Sequence, residues 1–155
     1  MNKTLAIGLF SCLIILTGCE ATPSVVPVSD PALSKTSAQY AADAVKHFPF
    51  KSDTPAGQVT PARALVDYSL DFIDLVNLSN HDLVNPEIWM NRQYVMVVPL
   101  LKAGEIKRLN FRMFYDDRGD HFPLNNNIEK GGVIIRQLEI IVDGKLYQVP
   151  VRQGL

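Results

Sequence analysis

The chain has 155 residues, 47% of them hydrophobic and 20% charged, with a formal net charge of −1. That supports one modest domain with a tail, and the balance excludes both wholesale disorder and a polytopic membrane protein. No basic stripe is present to neutralise a phosphate backbone, so nucleic acid is not an expected partner.

Met1-Asn2-Lys3-Thr4 supplies one positive charge, and Leu5 to Leu16 is a short apolar run ending in the small residues Thr17 and Gly18. Residues 1–18 therefore read as a secretion signal, because a spanning helix needs about 20 apolar residues. The sequence Leu16-Thr17-Gly18-Cys19 resembles the lipobox of bacterial lipoproteins. That resemblance implies that Cys19 is diacylated, that the leader is cut before it, and that the new amino end is acylated. Each buried methylene contributes about 0.8 kcal/mol, so one acyl chain holds marginally and two or more hold stably. The membrane is then a partner through lipid alone. In that family an Asp after the cysteine commonly signals inner-membrane retention, and Glu20 at this position leans towards the outer membrane. Cys12 leaves with the leader and Cys19 becomes a thioether, so neither disulfide nor thiol chemistry is expected.

Residues 19–36 read as a stalk, since Glu20 to Asp30 is too rich in Pro and Ser to pack by itself. Thr36 and Gln39 then form a capping-box pair, and Ala41, Val45 and Phe48 recur at helical spacing until Pro49. This predicts a short helix over 37–48 whose apolar stripe lies on the domain. Residues 49–62, breaker-rich from Lys51 to Pro61, read as a linker, and 63–155 as a β-domain.

In that domain Val66, Tyr68, Leu70 and Phe72 alternate with Asp67, Ser69 and Asp71, as in a half-buried strand, with a phase slip at Ile73 that suggests a bulge. Leu65, Tyr68, Phe72 and Leu75 also fit one helical face, so residues 65–76 allow either reading. Glu87 to Met90 and Tyr94 to Val98 flank Asn91-Arg92-Gln93 as a hairpin. Leu109, Phe111 and Met113 point one way, with Arg108, Asn110 and Arg112 opposite. Val133 to Val142 and Lys145 to Val151 surround Asp143-Gly144, the strongest hairpin signal in the chain, with Leu138, Ile140 and Val142 inward. Pro150 points to an edge or terminal strand. With no helical crossover, parallel pairing is not expected, and an antiparallel β-sandwich of about six to seven strands follows. In strand count, length and alternation, residues 63–151 resemble the immunoglobulin or fibronectin type III class, without the paired cysteines of immunoglobulin domains. The order of lipobox, short helix and sandwich also resembles the outer-membrane lipoprotein of type VI secretion, in outline and not in residue signature.

Tyr115 to Pro123 is the most chemically loaded segment, with Asp116, Asp117, Asp120 and His121 close together. Asp116 and Asp120 with carbonyls would suit Ca²⁺, and His121 a transition metal, but the spacing is not that of an EF-hand. Arg118-Gly119-Asp120 reads first as a tight turn in which Gly119 supplies permissive φ. Asn125 to Asn127 prolong this loop. Trp89 and Tyr94, if exposed together, would stack on sugar rings. His47 and His81 lack a partner at ligand spacing. No Gly-x-Ser-x-Gly elbow is present, so the familiar hydrolase sets lack their nucleophile. Asn77-Leu78-Ser79 matches a glycosylation sequon of little weight in a bacterium. The leading expectation is a non-enzymatic, lipid-anchored envelope module with a protein partner and neither cofactor nor metal. A glycan- or Ca²⁺-binding module comes second and a hydrolase third.

Overall fold

Two turns set the frame of the domain. Asp143 and Gly144 both adopt positive φ, which matches the right-handed twist of the strands they join, and Asn91 and Arg92 do the same between another pair. The computed structural model describes residues 30–123 and 133–153, so the leader, Cys19 and Asn125 to Asn127 lie outside the described residues. It contains one α-helix, α1 (Ser37–Val45), and ten strands: β1 (Ala62–Asp67), β2 (Phe72–Asn77), β3 (Leu83–Val84), β4 (Glu87–Met90), β5 (Tyr94–Val97), β6 (Leu100–Leu101), β7 (Ile106–Asn110), β8 (Leu138–Val142), β9 (Lys145–Gln148) and β10 (Val151–Gln153). The first sheet has the order β10-β1-β2-β7, the second β5-β4-β8-β9, and β3 pairs with β6 beside them. The fold is a mainly β sandwich, as expected from the alternation.

Residues 62–77 are strand and not helix, but they form a hairpin and not one bulged strand. Asp67 Oδ1 accepts hydrogen bonds from the amides of Ser69 and Leu70 and from the Ser69 hydroxyl, and Asp71 takes positive φ. The apparent phase slip at Ile73 is this turn. Ala62, Ala64 and Val66 on β1 and Ile73 and Leu75 on β2 then point into the core.

Three further expectations are corrected. β10 runs parallel to β1, with Ala64 opposite Val151. No helical crossover is needed, because Val149 and Pro150 carry the chain from the second sheet to the first, and the whole domain serves as the connection. β8 begins at Leu138, not Val133. Before it, the chain is held by Asn91, whose amide nitrogen donates to the Ile134 carbonyl while its oxygen accepts from the Arg136 and Gln137 amides. The alternation of Leu109, Phe111 and Met113 ends as strand at Asn110, where Phe111–Met113 turns into a 3-10 helix with Asn110 as its cap.

Helix α1 starts with the expected capping box between Thr36 and Gln39. It packs on β5 and the 111–113 turn, but through Tyr40, Ala41 and Ala44. Val45, expected in the stripe, is exposed, and Phe48 lies past the helix end. The chain from His47 to Gly57 does not hang free: it crosses the outer side of the second sheet. Phe48 and Phe50 stand edge-on to Trp89, with ring centroids 5.0 and 5.1 Å away. Ala56 then pairs with Leu146 as an added parallel bridge on β9. Gly57 is required here, since a Cβ at this position would fall 1.8 Å from Tyr147 Cε1.

Candidate functional site

The acidic loop closes on itself. Asp116 is buried, and its Oδ1 accepts the amides of Arg118 and Asp120 while its Oδ2 accepts the Arg118 Nε and Nη2 groups at 3.2 and 2.9 Å. Burial pushes the Asp116 carboxyl up, but the Asp120 amide and the Arg118 side chain outweigh it and hold the group below its usual range. Gly119 takes φ +85°, so Arg118-Gly119-Asp120 is the tight turn its glycine suggests. Asp120 and His121 are exposed, and His121 Nδ1 lies 2.8 Å from the Phe122 carbonyl oxygen. Asp116 thus serves the turn, while its two expected co-ligands lie at the surface. Among the described residues, no three His, Cys, Asp or Glu side chains are grouped to hold one metal ion.

The stacking platform expected from Trp89 and Tyr94 is not formed. Tyr94 pairs with Met90 and Trp89 with Val95, which puts the two rings on opposite faces of the second sheet. Trp89 is 0% exposed, sealed on the outer face by Phe48 and Phe50, and its indole Nε1 donates to Glu87 Oε2 at 3.1 Å. Tyr94 meets Phe122 edge-on at 5.1 Å. Burial first, and then the charge of Asp116, push its phenol upward. Asn77 is equally inaccessible. Its amide nitrogen donates to the His81 and Leu101 carbonyls and its oxygen accepts from Ser79, so the sequon asparagine is a structural bracket.

The charged residues that the fold does gather were not marked by local sequence. His47 Nδ1 lies 3.0 Å from Glu87 Oε1, and Lys51 Nζ 3.9 Å from the same oxygen, a partner that comes from forty residues along the chain and not from ligand spacing. An open groove of about 470 Å³ adjoins them, lined in part by Lys51, Asp53, Asn85, Glu87 and Asp143. On the same outer face Glu139, fully buried, accepts Arg92 Nε and Nη2 at 3.0 and 2.9 Å and Gln137 Nε2 at 2.9 Å. Arg92 also lies over the Phe50 ring at 4.9 Å. These contacts fasten the 47–57 segment to the sheet. The only signal for them was the pairing of one aromatic and two acidic residues on adjacent strands, unreadable without the register.

On β7, buried Lys107 donates to Asp30 Oδ2 at 2.5 Å and to the Leu100 carbonyl at 2.6 Å, with Glu105 3.3 Å away. Asp30, the first described residue, is thereby held against β7. No family model, curated protein or solved structure matches this chain, so function is argued from its own residues.

Proposed function

We propose that the protein is a non-enzymatic module of the bacterial envelope, anchored through lipid on Cys19 at the outer membrane and serving there as an interaction or structural part for another envelope protein. One observation carries this reading: the short apolar leader ending in Leu16-Thr17-Gly18-Cys19 stands a short Pro-rich stretch ahead of the body. Supporting it, the carboxylate and indole that sequence marked for chemistry, Asp116 and Trp89, are engaged within the fold. No catalytic residue, cofactor or metal belongs to the reading.

The full chain, expressed in a bacterium fed an alkyne-bearing fatty acid, tests the anchor. Label on the parent, its loss in Cys19→Ala, and a mass that begins at a modified Cys19 are expected. A bare sulfur, or a leader still attached, overturns the anchor. Hydrolytic turnover by the pure protein would remove the non-enzymatic part of the proposal, and activity unchanged by Asp116→Ala and His121→Ala would exclude this loop as its site.

A further inference from the structure

Among the described residues the outer face of the first sheet carries exposed side chains, and its composition follows from register. Arg152, Leu65, Asp74 and Arg108 lie in one row across β10, β1, β2 and β7, and Arg63, Val76 and Ile106 in the next. Residues directly opposite one another share a face, and so do those two positions apart. Asp67, Phe72 and Asn110 complete it. Ile106 is 65% and Leu65 43% exposed, and Leu78 just beyond β2 is exposed as well. Arg108 lies over the Phe72 ring at 3.8 Å and makes a two-pronged pair with Asp74, both bonds at 2.8 Å. Of the two acids on the face, Asp74 is therefore neutralised, while Arg63 and Arg152 are exposed.

The tether bounds how far this face can lie from the anchor. Asp30 is held by Lys107 on β7, whose side chain lies on the core side opposite Leu75 while its neighbour Ile106 faces outward. An extended chain spans at most 3.6 Å per residue, so the stretch from Cys19 to Asp30 allows roughly 40 Å between anchor and β7. Resting on the anchor reading, we infer that the outer face of the first sheet docks on the lipid surface itself, with Ile106, Leu65, Val76 and Leu78 meeting the headgroup boundary and Arg63 and Arg152 meeting anionic lipid. Apolar side chains flanked by arginines are the chemistry that a weakly anionic bilayer recognises, and each basic residue near such a surface adds to the attraction. The acyl chains hold the face at high local concentration, so weak contacts suffice.

The full chain is recovered from bacterial membranes and reconstituted into phosphatidylethanolamine–phosphatidylglycerol vesicles with brominated acyl chains. Intact mass reads the anchor, and tryptophan quenching reads the face. Ile106→Trp and, as a second variant, Leu65→Trp are expected to be quenched several-fold more than Lys145→Trp on β9, the parent's sealed Trp89 giving the baseline. Arg63→Glu combined with Arg152→Glu, or phosphatidylcholine in place of the charged lipid, is expected to remove most of the difference. Equal quenching at the three positions on acylated protein overturns the docking proposal and leaves the anchor standing. So does a photo-crosslinker at position 65 that captures an envelope protein while no quenching is seen, since the face then belongs to that protein. A chain without acyl mass in the soluble fraction overturns both.

Discussion

In β1 of the first sheet buried and exposed residues alternate, whereas in β8 of the second all five residues are buried. β1 has the core on one side and water on the other. β8 has the core on one side and, on the other, the segment that carries Phe48 and Phe50 across Trp89. The difference has a chemical consequence, because a polar residue under a cover must be paired. Among the described residues every buried side-chain nitrogen and oxygen is, Glu139 by Arg92 and two glutamines. The covered face therefore serves stability, and the open one keeps side chains such as Leu65 and Ile106 exposed.

The comparison breaks first at Trp89. Trp89→Ala is expected to cost about 3–5 kcal/mol, the range for removing a sealed aromatic, and Leu65→Ala on the open face about 0.5 kcal/mol or less. Urea denaturation of both variants checks this, and similar losses would mean that the two faces are equally engaged. Gly57→Ala comes next, at about 1–3 kcal/mol, because its Cβ overlaps the Tyr147 ring and one of the two must move. The same substitution at Gly104, where nothing lies within 4 Å, is strained by its positive φ alone, so only Gly57→Ala is expected to raise hydrogen exchange at the Gly57 amide, which donates to the Leu146 carbonyl.

A third expectation concerns the charge under the cover. Arg92→Ala leaves Glu139 buried with only amide partners, whereas Glu139→Leu leaves an arginine that can turn to solvent. The first variant is expected to lower the urea midpoint and the second to stay within about 1 kcal/mol of the parent, since breaking one side of a buried pair is worse than replacing the buried charge by an apolar group. The reverse order would show that Glu139 is solvated despite its burial.

Sequence pattern sufficed for the parts of the fold that are local. Asp143-Gly144, the positive-φ turn at Asn91 and the Thr36–Gln39 box are each set by a few neighbouring residues, and each is found where its chemistry places it. It failed where distant chain decides. In the turn after Asp67, Leu70 is exposed and Phe72 opens β2 opposite Asp67 on the outer face, so the apolar alternation from Val66 to Phe72 spans a change of face that sequence alone does not show. The cover over Trp89 comes from about forty residues earlier, and Glu139, between the inward Leu138 and Ile140, lies under the same cover, which no local pattern shows. The parallel pairing of β10 depends on which sheet the chain enters after Pro150, which periodicity does not encode. Of the candidate site, the loop at Asp116 was legible as a turn. The His47–Glu87 pair was not, because each partner is unremarkable in its own neighbourhood.

The smallest expected effect sharpens the comparison at the entry to the covered side, where Lys35 and Lys46 both reach Asp43 on α1, each at 2.7 Å. Their hydrogen bonds, that of Lys35 foremost, hold the Asp43 carboxyl down from 3.8 to about 2. A group depressed in this way stabilises the folded chain fully above its unfolded value and loses that contribution as pH falls from about 4 towards 2. Asp43 is 34% exposed and Lys46 68%, so solvent screening limits the gain to roughly 0.5 kcal/mol or less. Asp43→Asn should therefore melt slightly below the parent at pH 6 in low salt, with the gap closing as pH falls towards 2 and as salt is raised. A gap that persists unchanged at pH 2 would assign it to helix packing on β5, not to charge, and would place α1 with the apolar cover of the second sheet.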